Sequence, residues 1–145
     1  MTEMSSSDVL VIGAGIAGAG AAFFLSDWGI KTTLLEREHP ASGPTGRSSA
    51  VLHAFYLMPE LSRLAGRGIE SLRRIPELTG EDAGFNAIGT LWGAGPETAS
   101  EFRAAAKRIK DEGCEIEAID AVDLPKLVPD FNCGGITMAV WDRSS

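Results

Sequence analysis

Hydrophobic spacing changes three times within the first 36 residues. Residues 8–12 (DVLVI) run apolar without a break after one aspartate, the pattern of a central parallel strand buried on both faces. Residues 16–28 then take helical spacing, with Ala17, Ala21, Phe24 and Trp28 on one stripe and Gly29 placed to cap the C-terminus. Residues 31–35 (KTTLL) read as a second strand, so the segment forms a strand-helix-strand unit of about 30 residues. Beyond it, residues 36–49 are polar and turn-rich, a loop long enough to suggest function.

The rest of the pattern is less regular. Residues 59–76 predict an amphipathic helix with Leu61, Leu64, Ala65, Gly68, Leu72 and Ile75 on its apolar side, covering a sheet. Residues 87–94 predict a short strand weakened by Gly89 and Gly93, and residues 97–112 a helix stopped by Gly113. Residues 114–119 alternate as a half-exposed strand does. Asp120 and Asp123 resemble a capping box for a short helix ending before Pro129, and residues 135–141 form a last strand. Two domains are expected, 1–80 and 81–145.

Composition narrows the setting. With 44% hydrophobic and 23% charged residues among 145, the chain is of the globular class. A net charge of -7 with no basic run excludes nucleic acid or an anionic membrane as the main partner. Cys114 and Cys133 stand apart without a CxxC or a histidine pair, so no metal site is supported and reduced thiols in a cytoplasm fit best. The uncharged run 9–25 imitates a signal peptide or membrane span. Glu3 and Asp8 before it and four glycines within it argue against both.

The chemistry lies at Gly13-Ala14-Gly15-Ile16-Ala17-Gly18, a GxGxxG between a predicted strand and a predicted helix. Gly13 suits the tight turn, Gly15 lets a pyrophosphate approach the backbone, and Gly18 lets the helix lie close on the strand. The helix N-terminus offers free amides and partial positive charge to a diphosphate. Glu36, eighteen residues beyond Gly18, stands near the ~20-residue offset at which an acid receives the adenosine ribose hydroxyls. These features specify a dinucleotide, with a purely structural glycine turn as the alternative. Glu36 disfavours a 2′-phosphate but leaves NAD and FAD equal.

The opening residues 8–38, the loop PTGRSSAVLHAFY and the arginine-bearing helix after it resemble the N-terminal part of the D-amino-acid oxidase-like FAD-dependent oxidoreductases, nearest to the D-arginine and D-amino-acid dehydrogenase-like members. The resemblance is sharp over residues 8–56 and topological beyond. It implies an α/β fold: a Rossmann-like FAD-binding βαβ unit, the incomplete part of a doubly wound parallel sheet, followed by the start of a mixed α+β substrate domain. It also implies FAD as cofactor, with Gly13, Gly15, Ile16, Ala17 and Gly18 at the diphosphate, Glu36 at the ribose and Arg37 near the adenine. Thr45, Gly46, Arg47, Ser48, Ser49 and Ala50 would run past the diphosphate toward the flavin. For Ser48 and Ser49 the structural alternative is a helix cap or a hydroxyl turn.

Tyr56 matches a position that can face substrate in D-arginine dehydrogenase-like members, and equally suits a core edge. His53 is an outside catalytic candidate, since some relatives carry a histidine near the flavin. The implied reaction oxidises an amino acid or related amine, or in some relatives an α-hydroxy acid, by hydride transfer to flavin, giving for an amine an imine that water hydrolyses. Two other readings stand beside it: an NAD-dependent dehydrogenase domain, and a truncated, non-catalytic nucleotide-binding module. Relatives run well over twice this length, so the chain is expected to be a fragment, needing a completing chain or homo-oligomer to cover its strand edges. Peripheral membrane association is expected only if it reduces a respiratory quinone.

Overall fold

The computed structural model describes residues 6–145, which form two compact units dividing between Val51 and Leu52. The helix expected within 1–80 therefore falls with the second unit.

In the first unit, strand β1 (Val9–Ile12) pairs in parallel with β2 (Thr32–Leu35), Val9 opposite Thr32 and Ile12 opposite Leu35, and helix α1 (Ile16–Asp27) makes the crossover. The α1 C-terminus is a Schellman motif, with the Gly29 N–H donating to Ser26 O (2.9 Å) and the Ile30 N–H to Leu25 O (3.0 Å). Gly29 sits at φ 78°, a left-handed conformation that costs an L-residue about 1–2 kcal/mol. Gly29→Ala should lower the stability of the first unit by about 1 kcal/mol, read as a lower chemical-denaturation midpoint.

Two expectations for this unit need correction. β1 is not buried on both faces: Leu10 is 53% and Ile12 82% exposed, because β2 pairs along one edge only and nothing in the unit covers the outer face. The stripe of Ala17, Ala21, Phe24 and Trp28 points to solvent, with Trp28 at 72% exposure. The inner face is instead Gly18, Ala22 and Leu25, each partly buried. An almost uniformly apolar helix has no periodicity by which to choose a face, so the glycine that tolerates closest approach decides it.

In the second unit, β3 (Thr90–Ala94), β4 (Ile116–Asp120) and β5 (Met138–Asp142) form an antiparallel sheet ordered β3-β5-β4. Helices α2 (Pro59–Thr79) and α3 (Ala99–Asp111) accompany it, and α4 (Leu124–Leu127) is a single turn. One core cluster gathers Phe55, Ala94, Ala105, Ala106, Ile109, Ile116, Met138 and Val140; the other gathers Ile119, Leu124 and Ala139. β3 begins at Thr90 because Gly89 turns at φ 83°, where a Cβ would meet the Trp141 Nε1 at 2.5 Å. α2 runs through Pro76 for another turn to Gly80, whose N–H caps Pro76 O. Its buried positions are Ser62 and Ile69, while Leu61 and Leu64 are exposed. Ser62 is drawn in by a hydroxyl bond to Tyr56 O (2.9 Å). The capping box does not form. Asp120 ends β4 and pairs with Arg103 (2.5 Å), while Asp123 pairs with Lys126 (2.6 Å). Among the described residues, no helix is long and apolar enough to cross a membrane.

Candidate functional site

The glycine turn after β1 is built from the first unit alone. Gly13 adopts φ 100°, which only glycine takes readily, and its N–H donates to Leu35 O (2.7 Å), fastening the turn to the end of β2. A Cβ at Gly18 would run into the Gly13 carbonyl oxygen and meet Val11 Cγ1 at 3.5 Å, so the missing side chain is what lets α1 lie against the turn. Gly15 is the N-cap of α1 in extended conformation and caps nothing with a side chain.

Two side chains complete the cradle. The Ala14 N–H donates to Glu36 Oε2 (2.8 Å) and the Glu38 N–H to Glu36 Oε1 (3.0 Å). Those two amides, Ala14 first, hold the Glu36 carboxyl below its ordinary value, so it is an anion near neutral pH. The Ile16 N–H donates to Thr45 Oγ1 (3.0 Å), which would also be the nearest atom to a Cβ at Gly15, at 3.0 Å. No acidic residue occupies the first turn of α1, and the N–H groups of Ala17 and Gly18 have no acceptor among the described residues.

The loop folds back onto the turn. The Ala41 N–H donates to Ala14 O (2.9 Å) and the Gly46 N–H to Ala41 O (2.9 Å). Ala41 takes φ 62°, and a Cβ at Gly46 would strike its carbonyl oxygen, so Gly46 is required for the loop's own packing. A single 3-10 turn, Pro44–Arg47, delivers Thr45 to α1. Thr45→Val keeps the bulk and deletes the acceptor. It should cost the first unit about 1 kcal/mol, within the usual range for a lost helix cap, measured by denaturation against the wild type.

The remaining residues marked by the sequence divide. Arg37 extends into solvent with its side chain 89% exposed and pairs with Glu38 (3.3 Å). Arg47 and Ser49 are exposed. Ser48 Oγ accepts the Ala50 N–H (3.1 Å), the hydroxyl turn that was the structural alternative, and Ala50 sits at φ 55°. His53 and Tyr56 belong to the second unit, where their rings stack at 4.4 Å and 27° and His53 also meets Trp92 at 4.6 Å. His53 Nδ1 lies 3.1 Å from Phe55 O, a contact that is a hydrogen bond when Nδ1 carries a proton; in the neutral ring this leaves the lone pair on Nε2.

An open cleft of about 510 Å³ in the second unit is lined by Arg63, Arg73, Glu112 and Cys114. Two of its arginines are committed, Arg63 to Glu112 (2.8 Å) and Arg73 to Ser144 O (3.1 Å), while Arg67 also lines it. Burial, and then the Asp142 and Glu112 carboxylates, push the Cys114 thiol up, so it is not a reactive thiolate.

Gly13 takes a backbone conformation that side chains resist, Gly18 has no room for a Cβ, and an anionic acid follows β2, which are the parts expected of a dinucleotide turn. The family model for FAD-dependent oxidoreductases (DAO) matches residues 8–145. The chain belongs to this family. FAD is therefore the cofactor, and the nicotinamide reading is set aside. Mitochondrial glycerol-3-phosphate dehydrogenase of Bos taurus is 38% identical over 90 residues, covering 61% of the chain and 12% of that relative. L-proline dehydrogenase from P. horikoshii superposes with a TM-score of 0.83 at 23% identity, over 97% of the chain and 37% of its own. L-α-glycerophosphate oxidase from Mycoplasma pneumoniae, solved with FAD bound, has a TM-score of 0.65 at 22% identity, over 96% and 38%. The chain thus spans about an eighth of the curated relatives it matches and a little over a third of the solved ones.

Trp92 and two further polar residues, Arg108 and Asp142, went unmarked by the sequence. Asp142 does carry a weak signal: a lone acid closing an apolar strand, followed by Arg-Ser-Ser.

Proposed function

We propose that the protein to which this chain contributes oxidises an amino acid or related amine, with FAD held by the cradle described above. The chemistry supplied by FAD is acceptance of a hydride from the carbon that bears the amine. The chain's own residues bind and orient. The Ala17 and Gly18 amides would hold diphosphate oxygens at the positive end of α1. Thr45, whose lone pair already serves the Ile16 N–H, has its O–H left to donate to a phosphate oxygen. Glu36, held ionised by two amides, keeps lone-pair capacity for ribose hydroxyls. His53 and Tyr56 are the candidate substrate-side residues, His53 offering Nε2 as a proton acceptor.

The observation that carries the reading is the exclusion of any Cβ at Gly18, the close packing of turn on helix that a diphosphate-binding turn needs. The amine substrate rests on the resemblance of the loop PTGRSSAVLHAFY to D-arginine dehydrogenase-like members. A second reading is favoured by the 38% identity to glycerol-3-phosphate dehydrogenase: the oxidised carbon then bears a hydroxyl and the substrate a phosphate.

Anaerobic mixing of the FAD-loaded protein with D-arginine, other D- and L-amino acids, and glycerol 3-phosphate separates the readings. Bleaching of the visible flavin band by amino acids alone supports the proposal. Bleaching by glycerol 3-phosphate alone overturns it for the second, and flavin binding with no bleaching by any of them supports a non-catalytic nucleotide-binding module.

A further inference from the structure

Asp142, the last residue of β5, is fully buried, and no cation pairs with it among the described residues. Four hydrogen bonds satisfy its carboxylate. Oδ2 accepts the N–H groups of Ala54 (2.5 Å) and Phe55 (3.1 Å); Oδ1 accepts the Ser144 N–H (3.0 Å) and the Ser144 hydroxyl (2.5 Å). A buried carboxylate without a counter-ion is costly unless donors surround it; here two come from Ser144 beside it and two from a segment 87 and 88 residues away in sequence.

The same segment is gripped from its other side. Arg108, on α3, donates through Nη2 to Tyr56 O and Leu57 O, both at 3.1 Å. The carboxylate thus takes the amides of residues 54 and 55, and the guanidinium the carbonyls of residues 56 and 57. Both charges thus meet backbone dipoles of one four-residue stretch, Asp142 with Ser144 as a further donor, while the Arg108 Nε is buried with no acceptor among the described residues. His53 and Tyr56 flank the two amides that Asp142 holds, and their rings stack on each other and, through His53, on Trp92. The Trp92 indole N–H is buried there with no acceptor among the described residues, so the rings are not placed by that donor.

We propose that Asp142 and Arg108 are positioning residues, a split clamp that fixes the backbone of residues 54–57 and thereby the His53–Tyr56 stack. As a role in substrate oxidation this rests on the reading that His53 and Tyr56 face the substrate; the clamp itself does not. Asp142→Asn preserves size but turns an NH2 group toward two donors, releasing either the Ala54 and Phe55 amides or Ser144.

The test is NMR on the 145-residue chain, whose two histidines, His39 and His53, make the ring signals easy to separate. In the wild type, His53 ring protons should be displaced by the Tyr56 and Trp92 ring currents, while the exposed His39 serves as reference. Asp142→Asn should move the His53 signals toward those of His39 and leave the methyl signals of Ile119 and Leu124, in the other core cluster, in place. A folded Asp142→Asn chain with unchanged His53 signals overturns the proposal. Arg108→Lys, which loses the fork over two carbonyls, should shift them in the same direction. If Asp142→Asn does not fold, amide exchange in the wild type decides. Ala54 and Phe55 amides exchanging as slowly as those of β5 support the clamp, and exchange at the rate of an open loop overturns it. Neither readout uses flavin or turnover, so failure here and failure of the proposed oxidation are distinguishable.

Discussion

Gly18→Val will weaken FAD binding by about 100-fold, at the upper end of the roughly 1–3 kcal/mol that overpacking a close contact costs. The obstacle is the Gly13 carbonyl oxygen, a backbone atom that yields only if the diphosphate turn moves, with Val11 Cγ1 close behind at 3.5 Å. The added carbons therefore lift α1 from β1 and turn its free amides from the ligand. Gly20 is the control: nothing lies within 4 Å of a Cβ there, and Gly20→Ala should gain helix propensity and leave FAD affinity unchanged. Flavin fluorescence quenching measures both. Equal FAD affinity for Gly18→Val and the wild type would remove the close-packed turn from the account.

Glu36→Gln should lower FAD affinity by roughly tenfold, since a charged acceptor is lost. Glutamine has one acceptor oxygen for two amide donors, Ala14 and Glu38, so its NH2 group must oppose one of them. The pH dependence follows from the lowered carboxyl. A group held below its ordinary value of 4.5 in the folded chain stabilises the turn above that value, and the contribution disappears as the pH falls through the lowered one. Wild-type affinity should accordingly be level above the ordinary carboxylate value and decline on the acid side. The Glu36→Gln chain should be flat across that window. An acid limb that survives in the variant would mean that another group is responsible.

The cradle was legible in the sequence because each of its parts is local: the glycines fall within six residues and Glu36 directly follows the next strand. Thr45 was readable only by resemblance, since its bond to Ile16 spans 29 positions. The exposed face of β1 and the outward stripe of α1 were not legible, because a uniformly apolar strand or helix carries no phase. α2 was legible in part. Ala65, Leu72 and Ile75 of its expected stripe are half-buried, but Leu61 and Leu64 are exposed and Ser62 is buried instead, its hydroxyl bonded to Tyr56 O, which hydrophobicity does not encode. Arg108 lies at the far end of this scale, with partners more than fifty residues away and no local pattern, and Asp142 close to it, its weak local signal giving no hint of Ala54 and Phe55.

The central claim, that the cradle of the first unit holds the FAD diphosphate and ribose, is tested most directly by mapping amide shifts of the 145-residue chain during titration with FAD and, separately, with NADH. The account predicts that FAD moves the amides of Gly13, Ala14, Gly15, Ala17 and Gly18 together with the Thr45 amide, and that NADH at the same concentration moves them far less. Shifts confined to other residues, or an equal response to NADH, would contradict it.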